Sequence, residues 1–155
     1  MPIREATLHD AMYIAHLDEQ CFSAYNGPHY LTAFRMLMFQ DAIGLIYAEE
    51  KGGCQVGFAI MRLKECYITH IAVTPSRRKK GIGRALLEEC EYRILQAGSH
   101  LLWLHVAEDN PTAQKVFKDF GFEFGSDPPI LFRGNRVKAL PMVKHLKPTL
   151  QTDAG

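Results

Sequence analysis

Apolar and polar positions change period along the chain, and each change marks an element. Ile3 to Ala6 reads as a strand. Thr7 with Asp10 three residues on is an N-cap signal. Met12, Ile14, Ala15, Leu17 and Cys21 then recur at helical spacing, predicting a helix to about Phe22. Asn26-Gly27-Pro28 breaks the chain, and a second helix is expected from about His29 to Phe39. Ile43–Ala48 and Cys54–Leu63 flank a Gly52-Gly53 turn, a hairpin pattern. Tyr67 to Val73 predicts another strand, stopped by Pro75. From Gly81 to Ala97 the helical period returns, with Leu86, Leu87, Cys90 and Ile94 on one face and Gly98 as the stop. Leu101–Val106 is an apolar strand. Asn110-Pro111 sets a cap and a first-turn proline before a helix ending at Phe120-Gly121. Phe122–Phe124 and Ala139–Leu146 are expected as closing strands, joined by a loop over Gly125–Lys138.

This order, β-α-α-β-β-β-α-β-α-β-β, predicts a single α/β (α+β) domain in which about four helices flank a mixed central sheet. A chain of 155 residues suits one core. Residues 1–147 are expected to form the domain and 148–155 a tail. Strict alternation along the Tyr67 strand puts His70 on the face opposite Tyr67, Thr69 and Ile71, with Glu65 one pleat away on the Tyr67 face.

Composition narrows the partners. The chain is 47% hydrophobic and 23% charged with a net charge of +1, which gives no pull toward nucleic acid or a membrane surface. No apolar run nears the roughly 20 residues that span a bilayer, and no secretory leader is expected. The four cysteines show no CxxC pair and no metal-ligand spacing, so no metal site is expected; Cys54 and Cys66 read as small core residues. A reduced cytoplasmic protein, monomeric or homodimeric, is the expectation.

Charge is concentrated in one place. Arg77, Arg78, Lys79, Lys80 and Arg84 fall within eight positions, around Gly81-Ile82-Gly83, between a strand and a helix. Glycines let the backbone approach a ligand closely, and the helix start offers unpaired amides and the positive dipole end. A pyrophosphate fits such a cradle. A plain helix start with a solvated basic rim fits the glycines equally well. No Gly-Lys-Ser/Thr follows, and Leu86 stands where a dinucleotide fold needs its third glycine.

The segment Ile71 to Leu87, with Arg78, Gly81 and Gly83 matching Arg/Gln-x-x-Gly-x-Gly/Ala, resembles the GNAT superfamily of acyl-CoA N-acyltransferases. A second block, Asn110-Pro-Thr-Ala113 through Phe117 to Gly121-Phe122, resembles the later helix of that family. The pattern is nearest to the protein N-terminal, ribosomal-protein alanine type. The resemblance implies acetyl-CoA as cofactor, with Ile71, Ala72 and Val73 along its pantetheine arm. It also implies Lys79, Lys80, Gly81, Ile82, Gly83 and Arg84, with Arg78, at the pyrophosphate. Asn110 would lie along the arm, and it serves equally as a helix cap.

Acetyl transfer needs a neutral amine, and a base can contribute about 10²–10⁴-fold. The resemblance implies His105 as that base, paired with Tyr67, fourteen residues before Gly81. Each also reads as a buried strand residue. Many relatives carry an acidic tyrosine where this chain has Phe117, which donates no proton. Phe22, Tyr25 and Asn26 are expected between the first two helices, at the acceptor, or as a hydrophobic staple there. The late loop Pro128 to Phe132 is apolar and lacks paired tyrosines. The acceptor is expected to be a protein or peptide N-terminus or a small amine. A non-catalytic acyl-CoA sensor is the alternative.

Overall fold

Eight strands form one mixed sheet: β1 (Ile3–Glu5), β2 (Ala42–Ala48), β3 (Gln55–Arg62), β4 (Tyr67–Val73), β5 (Leu101–Ala107), β6 (Glu123–Phe124), β7 (Ile130–Phe132) and β8 (Val137–His145). The strand order is β1-β2-β3-β4-β5-β8-β6, with β7 also paired to β8. Three α-helices accompany it among the described residues: α1 (Ala11–Asn26), α2 (Ile82–Gln96) and α3 (Pro111–Phe120). The computed structural model describes residues 2–26, 37–38, 40–49, 51–132 and 137–147. The expected second helix falls largely outside them, as does the tail.

The sheet separates two cores. On one face α2 and α3 bury Ile82, Leu86, Leu87, Cys90, Ile94, Phe117 and Phe120 against Leu45, Ala59, Ile68, Leu102 and Leu104. Gly57 allows α2 to come this close, because a Cβ there would stand 3.0 Å from Ile82 and 3.3 Å from Leu86. On the other face α1 packs Ile14, Ala15 and Leu17 against Ile46, Phe58, Ile60 and Ala72.

Four expectations are corrected. The helix after Thr7 opens with a 3-10 turn at Leu8–Asp10 and runs on to Asn26, since nothing before Gly27 breaks it. Phe22, Tyr25 and Asn26 are therefore the last turns of α1 and not a loop between helices; their side chains lie outside the described residues. The Gly125–Lys138 loop contains a strand, β7, whose three residues pair with the start of β8. Its flanking prolines hid so short a run. Cys54 is exposed and only Cys90 is fully buried, because Cys54 belongs to the hairpin turn and not to β3.

The fourth correction concerns β4. Ile60 pairs with His70 but Met61 pairs with Ile68, so Thr69 is an extra residue in a β-bulge. The bulge turns the strand by one residue. Ile68 and Ile71 then share the α2 face, while Tyr67, His70 and Ala72 share the α1 face. There His70 Nε2 lies 3.9 Å from Asp18 Oδ1 of α1. Burial pushes the His70 pKa down, with Asp18 opposing.

Asp10 anchors the start of α1. It is 2% exposed, takes two hydrogen bonds from Arg4 at 2.9 Å, one from the Thr7 amide at 2.8 Å and one from Gln55 at 3.0 Å. The Arg4 hydrogen bonds hold its carboxyl well below the usual carboxylate range. Asp10→Ala is expected to cost about 2 kcal/mol at pH 7, reduced from the full buried-pair value because Arg4 is half exposed. A depressed folded pKa gives stability above the unfolded value that is lost as pH falls. The difference between wild type and variant in urea melts should therefore shrink below about pH 4.

Candidate active site

β4 and β5 run parallel and pair only at Tyr67 with Trp103, supported by the Trp103 amide donating to the Cys66 carbonyl at 2.9 Å. β5 otherwise pairs along its whole length with β8. Beyond Tyr67 the two parallel strands part, and the edge of β4 from Thr69 to Val73 has no partner in β5 among the described residues. Ile71, Ala72 and Val73 lie on that edge.

Alternation along β5 sends Leu102, Leu104 and Val106 into the α2 core, and Trp103 and His105 to the opposite face. Tyr67 reaches the same face because of the bulge. The three rings meet there. The Tyr67 hydroxyl lies 2.7 Å from His105 Nδ1. Trp103 packs 4.5 Å from the Tyr67 ring and 5.1 Å from the His105 ring. Its indole N–H donates to the Glu65 carbonyl at 2.8 Å, which fixes the ring. The sequence reading did not single out Trp103, although its place two residues before His105 was the available signal.

The environment tunes the pair. Burial pushes the Tyr67 hydroxyl up to about 12, reinforced by Glu65, so it stays protonated at neutral pH. Burial lowers the His105 pKa, and Asp127 partly opposes this. The imidazole is thus neutral at pH 7 and able to take a proton.

The basic loop follows β4. Pro75–Arg77 forms a 3-10 turn, then Lys79 and Gly81 adopt left-handed backbone, with φ of 64° and 81°. Gly81 is the N-cap of α2 and supplies no side-chain cap. The first-turn amides of Ile82, Gly83 and Arg84 therefore stay available. Arg78, Lys79, Lys80, Gly81 and Arg84 are all exposed. Arg77 is committed elsewhere, to Glu49 at 3.0 Å. Arg78 folds back, donating to the Val73 carbonyl and to Cys21 Sγ of α1, each at 3.1 Å. An anionic, extended ligand fits this set: donors at the helix start, cations on its rim, and an unpaired strand edge leading away.

The GNAT acetyltransferase family matches residues 11–122. The chain belongs to that family.

Over 106 residues the chain is 35% identical to a ribosomal protein bS18-alanine N-acetyltransferase of Escherichia coli (strain K12). That alignment covers 67% of this chain and 62% of the relative, so it spans less than two thirds of the relative's length. An N-terminal acetyltransferase complex ARD1 subunit homolog of Dictyostelium discoideum is 26% identical, over 97% of this chain and 76% of its own. The crystal structure of the ribosomal-protein-S18-alanine N-acetyltransferase from Escherichia coli superposes with a TM-score of 0.75 at 23% identity, over 99% of this chain and 97% of that one. A spermidine N-acetyltransferase variant from Vibrio cholerae gives 0.71 at 16% identity, over 94% and 95%. At these identities the structural likeness establishes the fold.

The structure also places Asn110 and Phe117. Asn110 caps α3, its Oδ1 accepting from the Ala113 amide at 3.1 Å. Phe117 is buried against Phe122, with ring centroids 5.9 Å apart, and presents no proton donor. No cluster of metal-ligating side chains occurs among the described residues, and no helix there is long and apolar enough to cross a membrane.

Proposed function

We propose that this chain is an acetyl-CoA-dependent N-acetyltransferase that acylates a primary amine by direct attack in a ternary complex, with residues 1–147 as the catalytic domain. The observation that carries the reading is the 2.7 Å Tyr67–His105 hydrogen bond, placed where β4 and β5 part. The acceptor is a protein or peptide N-terminus or a small amine. Between these, an α-amine with a reference pKa near 8 loses its proton more readily than a lysine near 10.4. The names of the relatives favour the same choice.

The residues take these roles. Backbone along Ile71, Ala72 and Val73 lines the arm of acetyl-CoA, and the loop from Arg78 to Arg84 holds its pyrophosphate. Asn110, the cap of α3, lies along the same arm. When bound, acetyl-CoA supplies an acyl carbon activated as a thioester. His105 takes the first proton from the acceptor ammonium, either directly at Nε2 with Nδ1–H donating to Tyr67, or through the Tyr67 hydroxyl to Nδ1. The freed amine forms the C–N bond and the C–S bond breaks. The second nitrogen proton ends on the departing thiolate, without help from Phe117. Holding the amine and thioester in line supplies much of the remaining acceleration.

A non-catalytic acyl-CoA sensor is the second reading, favoured by Phe117 alone. Acetyl-CoA with a panel of short peptides, polyamines and amino acids, read by mass, separates the two. At least one amine should gain an acetyl group; binding of acetyl-CoA with no product on any amine would leave the sensor.

A further inference from the structure

Trp103 ties down the β3–β4 turn as well as packing on the Tyr67–His105 pair. The turn runs over Leu63–Cys66, with the Cys66 amide donating to the Leu63 carbonyl at 3.1 Å. Cys66 holds a φ of 55°, left-handed backbone that a residue with a side chain seldom adopts. Such a conformation persists only where its surroundings over-determine it. Trp103 supplies that constraint from β5. Its amide donates to the Cys66 carbonyl at 2.9 Å and its indole N–H to the Glu65 carbonyl at 2.8 Å, so one residue grips two successive carbonyls. Tyr67 follows Cys66 directly and is the register partner of Trp103, at the one pair where β4 and β5 meet. Its ring lies 4.5 Å from the indole. A change in the Cys66 dihedrals swings the start of β4, and the tyrosine hydroxyl, at the far end of its ring, moves most.

We infer that Trp103 is a positioning residue: its two donors hold Cys66 left-handed and thereby aim the Tyr67 hydroxyl at His105 Nδ1. The inference rests on the acetyltransferase reading and deepens it. The main-chain donor is present whatever side chain stands at 103, so the indole N–H is the part that tryptophan alone supplies. Without it the Glu65 peptide turns toward water, Cys66 relaxes out of the left-handed region, and the 2.7 Å Tyr67–His105 bond is lost.

The test uses the full chain without acetyl-CoA, so that it does not depend on turnover. Trp103→Phe keeps a ring against Tyr67 and His105 and deletes the N–H. Trp103 is the single tryptophan of the chain, so growth of a tryptophan auxotroph on benzothienylalanine replaces it alone, with sulfur in place of N–H and the ring shape kept. The nitrogen shifts of the His105 ring, read by NMR, report the bond, and Tyr67→Phe gives the values of a ring that has lost it. In both altered forms of residue 103 the shifts should move most of the way to the Tyr67→Phe values. Cys66→Gly should restore wild-type shifts in the Trp103→Phe background, because glycine holds a φ of 55° unaided. A tryptophan that merely filled space would gain nothing from a change in the turn. With acetyl-CoA and an amine, Trp103→Phe should lower kcat by no more than the roughly tenfold loss expected for Tyr67→Phe. It should leave the acetyl-CoA KM unchanged and cost nothing further in the Tyr67→Phe background. Wild-type His105 shifts in the benzothienylalanine protein, no rescue by Cys66→Gly, or a kcat loss that is the same with and without the Tyr67 hydroxyl each overturn the proposal. Absence of acetyl transfer in wild type overturns the acetyltransferase reading alone, because the shifts still decide Trp103.

Discussion

Replacing His105 with alanine is expected to lower kcat by about 10²- to 10³-fold, within the range of a positioned general base, while the Kd for acetyl-CoA stays unchanged. The ring lies on the α1 face of the sheet with Tyr67 and Trp103, away from the loop that begins α2. Removing it therefore takes nothing from the anion site. The pH dependence follows from the sign of its shift. Burial lowers the imidazole pKa, so the neutral base persists to lower pH than in a free histidine. The acid limb of the kcat profile should lie on the acidic side of the ordinary histidine value and vanish in the variant. Tyr67→Phe keeps the ring packing on Trp103 and deletes only the hydroxyl. It should cost about tenfold if the proton travels through the phenol. Unchanged turnover of the His105 variant across the pH range would overturn the base assignment.

Gly81→Val should raise the Kd for acetyl-CoA about 30-fold, equivalent to losing roughly 2 kcal/mol of charge-assisted hydrogen bonding. Gly81 holds a φ of 81°, where a β-branched residue is strained. Relieving that strain rotates the start of α2 and turns the Ile82, Gly83 and Arg84 amides from a common point. The melting temperature should fall by a few degrees. Gly98→Val is the control, since Gly98 has a φ of 87° just past the far end of α2. It should lose similar stability and keep wild-type affinity by calorimetry. An equal loss of affinity in both variants would assign the effect to general loosening.

How much of the site was legible from the chain depends on the range of the interaction. Gly81 and its neighbours announce themselves because a left-handed cap and a basic rim are local properties of a few residues. Asn110 and Thr7 are read the same way, as caps written in adjacent positions. His105 and Tyr67 were candidates only through their place in a family pattern. Alternation alone puts His70 and Tyr67 on opposite faces, and the Thr69 bulge reverses that. A bulge depends on how β3 aligns with β4, which periodicity within one strand does not encode.

The amino-acid sequence by itself determined the family and, β7 apart, the order of the described elements, and it marked out the basic glycine loop, because spacing, caps and glycines act between near neighbours. Tertiary structure alone decided that Tyr67, Trp103 and His105 meet. Those contacts join β4 and β5 across dozens of residues, and only strand register brings such distant side chains within hydrogen-bonding reach.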